Sequence, residues 1–100
     1  MHIITRKALQ QFWERHPAAE SPLRNWFTRV SQAQWHNFAE LRRDYPSADL
    51  VGRLTVFNIG GNNYRLVVRI EYKLRRVYVR HVLTHAEYDN EQWKDDEWYT

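Results

Sequence analysis

The hydrophobic period of the chain changes near residue 50. Before it, apolar residues recur at helical spacing: Leu9, Phe12 and Trp13 run on to His16, and Pro17 ends the segment. Leu23, Trp26, Phe27 and Val30 form a second stripe at i, i+3, i+4 and i+7, with Ser21 suited to the N-cap and Pro22 to the first turn. Thr5 suits the cap of the first helix, and His2 to Ile4 reads as a short strand ahead of it. Trp35, Phe38 and Ala39 suggest a further short helix before Tyr45-Pro46. Aromatics at this spacing are read as core rather than as a ligand platform.

After Leu50 the period is two. Leu54 to Asn58 is a candidate strand leading into Gly60-Gly61-Asn62-Asn63, residue types that tolerate positive φ and suit a hairpin. From Tyr64 to Tyr72 the alternation is strongest: Tyr64, Leu66, Val68, Ile70 and Tyr72 share one face, and Arg65, Val67, Arg69 and Glu71 the other. A basic turn, Lys73-Leu74-Arg75-Arg76, connects to a strand from Val77 to Leu83. Continued alternation there puts Val77, Val79, His81 and Leu83 together, opposite Tyr78, Arg80 and Val82. Strands joined by hairpins are antiparallel. The expected architecture is α+β, with N-terminal helices on one face of a small antiparallel sheet and an Arg-rich face opposite.

Length and composition narrow the class. Residues 1–100 have room for one domain, and a content of 43% hydrophobic residues supports a packed interior. No apolar run reaches the length of a membrane span, and MHIITRKALQQF lacks the apolar block and cleavage site of a signal peptide. There is no cysteine, hence no disulfide and no thiolate chemistry. A cytoplasmic protein without a membrane partner is the simplest reading.

The net charge of +3 conceals an uneven distribution. Residues 53–80 carry seven Lys or Arg against one acid, Glu71, whereas residues 81–100 carry one base, Lys94, against six acids. A basic central block suits a polyanion such as RNA; a solvated basic sheet face is the plainer reading. The acidic, aromatic tail from about residue 90, NEQWKDDEWYT, fits that picture poorly. It would repel RNA if it lay across the basic face; alternatives are a detached segment or one that contacts a basic partner.

The densest cluster of titratable groups is HVLTHAEYD, residues 81–89. Histidines at i, i+4 share a metal on a helix, but VYVRHVL alternates as a strand, where four residues span about 13 Å. Each ligand to one zinc must come within about 2 Å, so His81 and His85 are not expected to share an ion. Gly60-Gly61 precedes a strand rather than a helix, unlike a phosphate loop, and no Gly-x-Ser-x-Gly or other nucleophile signature is present. What survives is acid–base chemistry beside cations. RNA can be cut without metal when its 2′-OH attacks the adjacent phosphate, aided by a base, an acid and a positive charge. Arg65, Arg69 and Arg80 supply cations, and His85, Tyr88 and Asp89 proton-transfer or orienting groups. His81 is read either as a satisfied histidine near the core or as a supporting member of the site. His2, His16 and His36 are read as helix-edge or surface residues.

FNIGGNNYRLVVRIEY followed by VYVRHVLTHAEYD closely resembles the HigB toxin family of the wider RelE-like superfamily. The likeness runs from MHIITRKAL through YPSADLVG to about Asp89. It implies a RelE-like fold and the toxin of a type II toxin–antitoxin pair, an mRNA endonuclease acting on translating ribosomes without a cofactor. It further implies a HigA-type antitoxin with a helix-turn-helix domain, through which alone operator DNA is reached. By this resemblance Arg65 faces the scissile phosphate, and His85 and Tyr88 occupy the segment that carries the general acid or base. Asn58 and Asp89 match the family motif. Asn58 is grouped with Arg69, Arg80, Lys73, Arg75 and Arg76 as RNA-binding, and Asp89 with His81 as supporting. The rivals are a non-catalytic module that binds RNA or antitoxin, and a ribonuclease that works without the ribosome.

Overall fold

The period change marks the boundary between two layers in the computed structural model, which describes residues 1–100. Strand β1 (His2–Ile4) leads into α1 (Arg6–Arg15), a 3-10 turn at Pro17–Ala19, α2 (Glu20–Gln32) and α3 (Phe38–Asp44). Strands β2 (Asp49–Val51), β3 (Leu54–Ile59), β4 (Tyr64–Glu71) and β5 (Arg76–Thr84) follow, then α4 (His85–Asp89) and a final 3-10 turn at Gln92–Asp95. The five strands lie in the order β1-β5-β4-β3-β2.

The helical stripes bury Leu9, Phe12 and Trp13 of α1 and Leu23, Trp26 and Val30 of α2 against Phe57, Leu66, Val68, Ile70 and Val77 of the sheet. Each such side chain, fully buried, contributes on the order of 1.5–3 kcal/mol. Trp26 meets Phe57 edge-on at 5.5 Å, and Phe57 meets Tyr45 in the same way at 5.0 Å. The fold class is α+β, as the pattern implies. No helix is long and apolar enough to cross a membrane.

Several details depart from the local pattern. Strand β1 pairs with β5 in parallel, so the sheet is mixed rather than purely antiparallel. Ser21 does not cap α2: the turn at Pro17–Ala19 runs straight into a helix already begun at Glu20. Strand β2, pairing Asp49 to Val51 with Val56 to Leu54, forms a hairpin edge that three residues cannot advertise by alternation.

Two differences bear on function. Val67 pairs with His81 but Val68 with Val79, so Arg80 is an extra residue in β5. This bulge reverses the face of every residue after it. Val82, opposite Leu66, therefore joins the helix-covered core, while His81 and Leu83, opposite Val67 and Arg65, lie on the other face. The expectation that His81 and Leu83 share a face with Val77 and Val79 is corrected accordingly. The second difference is that the Arg-bearing face is not open. Glu91, with φ 63, turns the chain after α4 so that residues 92–99 run back over the sheet. Trp93 is buried in a second core with Leu54, Val56 and Val67. At the far end Arg53 N–H donates to Tyr99 O at 2.8 Å, and Gly52 (φ 61) makes room: a Cβ there would lie 2.5 Å from that oxygen.

Candidate active site

One end of the sheet gathers three segments: the β3–β4 hairpin, the end of β5, and α4. Asn58, Arg65 and Leu83 form one row across β3, β4 and β5. The hairpin closes through Gly60 and Gly61, both at positive φ. Arg65 is only 9% exposed. Its Nη1 donates to Asn62 O at 2.9 Å and Tyr64 O at 3.2 Å, and its Nη2 to Asn62 Oδ1 at 3.4 Å. Arg65 thus braces the turn while projecting from the face that alternation predicts. Of five guanidinium N–H groups, these bonds use three, leaving one on Nε and one on Nη2.

Helix α4 starts where it does because Thr84 and Glu87 form a capping box. Glu87 N–H donates to Thr84 Oγ1 at 3.2 Å, and Thr84 N–H to Glu87 Oε1 at 2.9 Å. This Thr-x-x-Glu signature is visible in the sequence and marks the helix that alternation alone leaves as an unassigned segment. His85 N–H donates to Asn63 O at 3.2 Å, tying α4 to the hairpin. The His85 side chain is 53% exposed, and its Nδ1 lies 2.9 Å from Asp89 Oδ2 one turn on. A carboxylate there favours a proton on Nδ1 and leaves Nε2 to face solvent or substrate.

Tyr88 completes the group. The Arg65 guanidinium carbon lies 5.4 Å from its ring centroid, and the Trp93 ring stacks on it at 5.1 Å and 13°. Burial pushes the Tyr88 hydroxyl above its ordinary pKa, the Asp49 carboxylate adds to this, and Arg65 and Lys94 oppose it. Near neutral pH the phenol therefore keeps its proton.

The remaining candidate residues separate into two groups. Arg69 pairs with Glu71 at 3.1 Å and lines a cleft of about 340 Å³ with Arg53, Glu71, Tyr78, Glu97 and Trp98. Arg80 is engaged by the tail, and Trp98 lies over its guanidinium at 4.0 Å. Lys73 and Arg75, in the turn beyond the other end of β4, and Arg76, the first residue of β5, are exposed. Lys73 is eight residues from Arg65, about 26 Å along a strand. Asn58, Arg65, His85, Tyr88 and Asp89 are brought to one end; the basic turn is not. His81 is drawn away from His85 and points to Asp96 instead.

A comparison with known families decides the relationship. The sequence profile of the HigB_toxin family, described as the RelE-like toxic component of a toxin–antitoxin system, matches residues 19–91. The chain belongs to the HigB toxin family. It is 33% identical over 92 residues to the mRNA interferase toxin HigB of Escherichia coli K12, covering 89% of this chain and 88% of that protein. The mRNA interferase HigB of Shigella flexneri matches to the same extent, and that of Escherichia coli O6:H1 is 27% identical over 92 residues, covering 89% of each chain.

The HigB family match stops before Trp93 and Asp96, two residues whose importance only the structure shows. Asp96 accepts from Arg80 Nε and Nη2, both at 2.9 Å, and from Trp98 N–H at 2.8 Å; His81 Nε2 lies 2.8 Å away. Its side chain is 2% exposed. The Arg80 hydrogen bonds, helped by those from Trp98 and His81, outweigh desolvation and hold its pKa down to about 2. A carboxylate with a depressed folded pKa stabilises the fold above its unfolded value near 4 and loses that contribution as pH falls through the folded value. A shift of this size corresponds to about 2 kcal/mol. Urea unfolding of the parent and Asp96→Asn should therefore differ by about 2 kcal/mol near pH 6 and converge as pH falls from about 4 to about 2. A difference independent of pH would show that the ionised carboxylate does not anchor the tail.

Proposed function

We propose that this chain is the mRNA-cleaving toxin of a type II toxin–antitoxin system, active on ribosome-bound message in the cytoplasm. The observation that carries this reading is the convergence of Arg65, Tyr88 and the His85–Asp89 pair at one end of the sheet. The names of the relatives supply the substrate class. Those proteins are called mRNA interferases.

The chemistry is transesterification. The ribose 2′-oxygen forms a bond to the adjacent phosphorus, and the bond from phosphorus to the 5′-oxygen breaks. His85, backed by Asp89, takes the 2′-OH proton on Nε2; Tyr88 gives a proton to the departing 5′-oxygen. Arg65 offsets the charge that builds on the phosphoryl oxygens. The products are a 2′,3′-cyclic phosphate and a 5′-hydroxyl. No cofactor enters this scheme, in which His85, Tyr88 and Arg65 supply the base, the acid and the positive charge. Asn58, beside Arg65, and the cleft at Arg69 extend the RNA path. The basic turn at Lys73, Arg75 and Arg76 is a separate patch for phosphate contacts, the origin of a steep salt dependence. The partner is a HigA-type antitoxin whose helix-turn-helix domain carries operator DNA binding for the pair.

Arg65→Ala tests this assignment. Loss of a preorganised charge donor to the phosphoryl group should lower turnover by roughly 10²–10³-fold and abolish growth arrest on induction. Truncation will not spare the fold as an exposed arginine would. The carbonyls of Asn62 and Tyr64 lose their donor, for an expected loss of about 1–3 kcal/mol. Turnover is therefore compared at equal folded protein. A variant as fast as the parent on that basis would remove Arg65 from the reaction.

A further inference from the structure

Helix α4 is too short to hold its own catalytic side chain. It has five residues and none is buried, far below the length at which a helix persists in water. Its capping box fixes the first turn, but Tyr88 lies at the other end. What contacts Tyr88 there is Trp93. The indole stacks on the phenol at 13°, and its Nε1 donates to Tyr88 O at 3.0 Å, so ring and backbone are held by one side chain. Trp93 is itself buried. It is 4% exposed, wedged among Leu54, Val56 and Val67, with Tyr99 edge-on at 6.1 Å.

We infer that Trp93 is a positioning residue for the cleavage reaction, holding the Tyr88 phenol in place beside the Arg65 guanidinium. The inference rests on the proton-donor role proposed for Tyr88. It assigns the tail a purpose other than repelling RNA: its aromatic residue completes a wall of the active site, and its acidic residue, Asp96, clamps the segment onto Arg80 and His81. A phenol stacked on a buried indole, with its own backbone carbonyl bonded to that indole, has its hydroxyl confined to one arc, and orientation of that kind governs turnover more than substrate affinity.

The test uses the full-length toxin on ribosome-bound mRNA, with kcat and KM measured for Trp93→Leu, Trp93→Phe, Tyr88→Phe and the double variant Trp93→Leu/Tyr88→Phe. Leucine keeps apolar volume in the second core but has neither a flat face nor an N–H; phenylalanine restores the stack. The expected result is a 10- to 100-fold fall in kcat for Trp93→Leu with KM within about threefold, and recovery of most of kcat in Trp93→Phe. In the Tyr88→Phe background Trp93→Leu should cost little more, because there is no hydroxyl left to position. Rates are normalised to folded protein from each variant's own urea unfolding curve followed by far-ultraviolet circular dichroism, so that a partly unfolded variant still reports. Unchanged kcat in Trp93→Leu, or an equal fall with and without the Tyr88 hydroxyl, would overturn the inference while leaving Tyr88 in place. A Tyr88→Phe variant as fast as the parent would instead remove Tyr88 from the mechanism, and Trp93 with it.

Discussion

His85→Ala is expected to slow mRNA cleavage by roughly two to four orders of magnitude, the usual scale for losing a positioned general base or acid. The fold should barely register the change. The His85 side chain is 53% exposed and makes one exposed contact, to Asp89, which is itself 60% exposed. Pairs of that kind contribute a few tenths of a kcal/mol on a helix. The capping box that nucleates α4 uses Thr84 and Glu87 and is untouched. His81→Ala should behave in the opposite way. It removes a partner of the buried Asp96 and so loosens the tail, while turnover per folded molecule changes little. Rates at equal folded protein, set beside unfolding midpoints, separate the two. An unstable His85 variant with normal turnover would exchange the roles of the two histidines.

That contrast shows where local pattern stops being informative. Period-two alternation places Arg65, Val67 and Arg69 correctly on one face of β4. It continues unbroken through VYVRHVL, so nothing local marks Arg80 as an extra residue, and His81 and Leu83 are assigned to the wrong face. A bulge is a property of two strands in register, not of one. The buried state of Arg65 and Val67 is likewise a long-range result. It depends on Tyr88 lying beside Arg65 and on Trp93 returning across more than twenty residues of sequence to pack against Val67, and an acidic segment gives no sign of that destination. Thr84-x-x-Glu87 is the contrary case, a capping signal short enough to be read directly. The helical stripes of α1 and α2 are legible because the residues each helix buries, Leu9, Phe12 and Trp13, then Leu23, Trp26 and Val30, all recur at that spacing. The parallel docking of β1 on β5 was not, since it joins residues more than seventy positions apart.

For the candidate site, motif resemblance carried what periodicity did not. Alternation yields an arginine-bearing strand; the family likeness singles out Arg65, His85 and Tyr88 within it. The structure adds their arrangement. Arg65 packs against Tyr88, His85 pairs with Asp89, and Lys73, Arg75 and Arg76 stand at the far end of β4.

The arrangement also bears on where RNA is cut. Arg65 is nearly buried, His85 is exposed, and none of the five main clefts is lined by either residue. Such a site depends on a substrate already bent so that the 2′-oxygen, phosphorus and 5′-oxygen are in line, and orientation accounts for much of the barrier in reactions of this kind. The decoding site of the ribosome holds mRNA in an ordered path. Cleavage on ribosomes with an empty A site should therefore exceed cleavage of the same RNA free in solution by roughly three orders of magnitude or more. The most direct measurement mixes equal toxin and equal end-labelled mRNA with and without programmed ribosomes, and reads both rate and product ends from one gel. The account predicts rapid cleavage only with ribosomes, leaving a 2′,3′-cyclic phosphate or the 3′-phosphate formed from it. Equal rates in both tubes, or products ending in a 3′-hydroxyl, would contradict it.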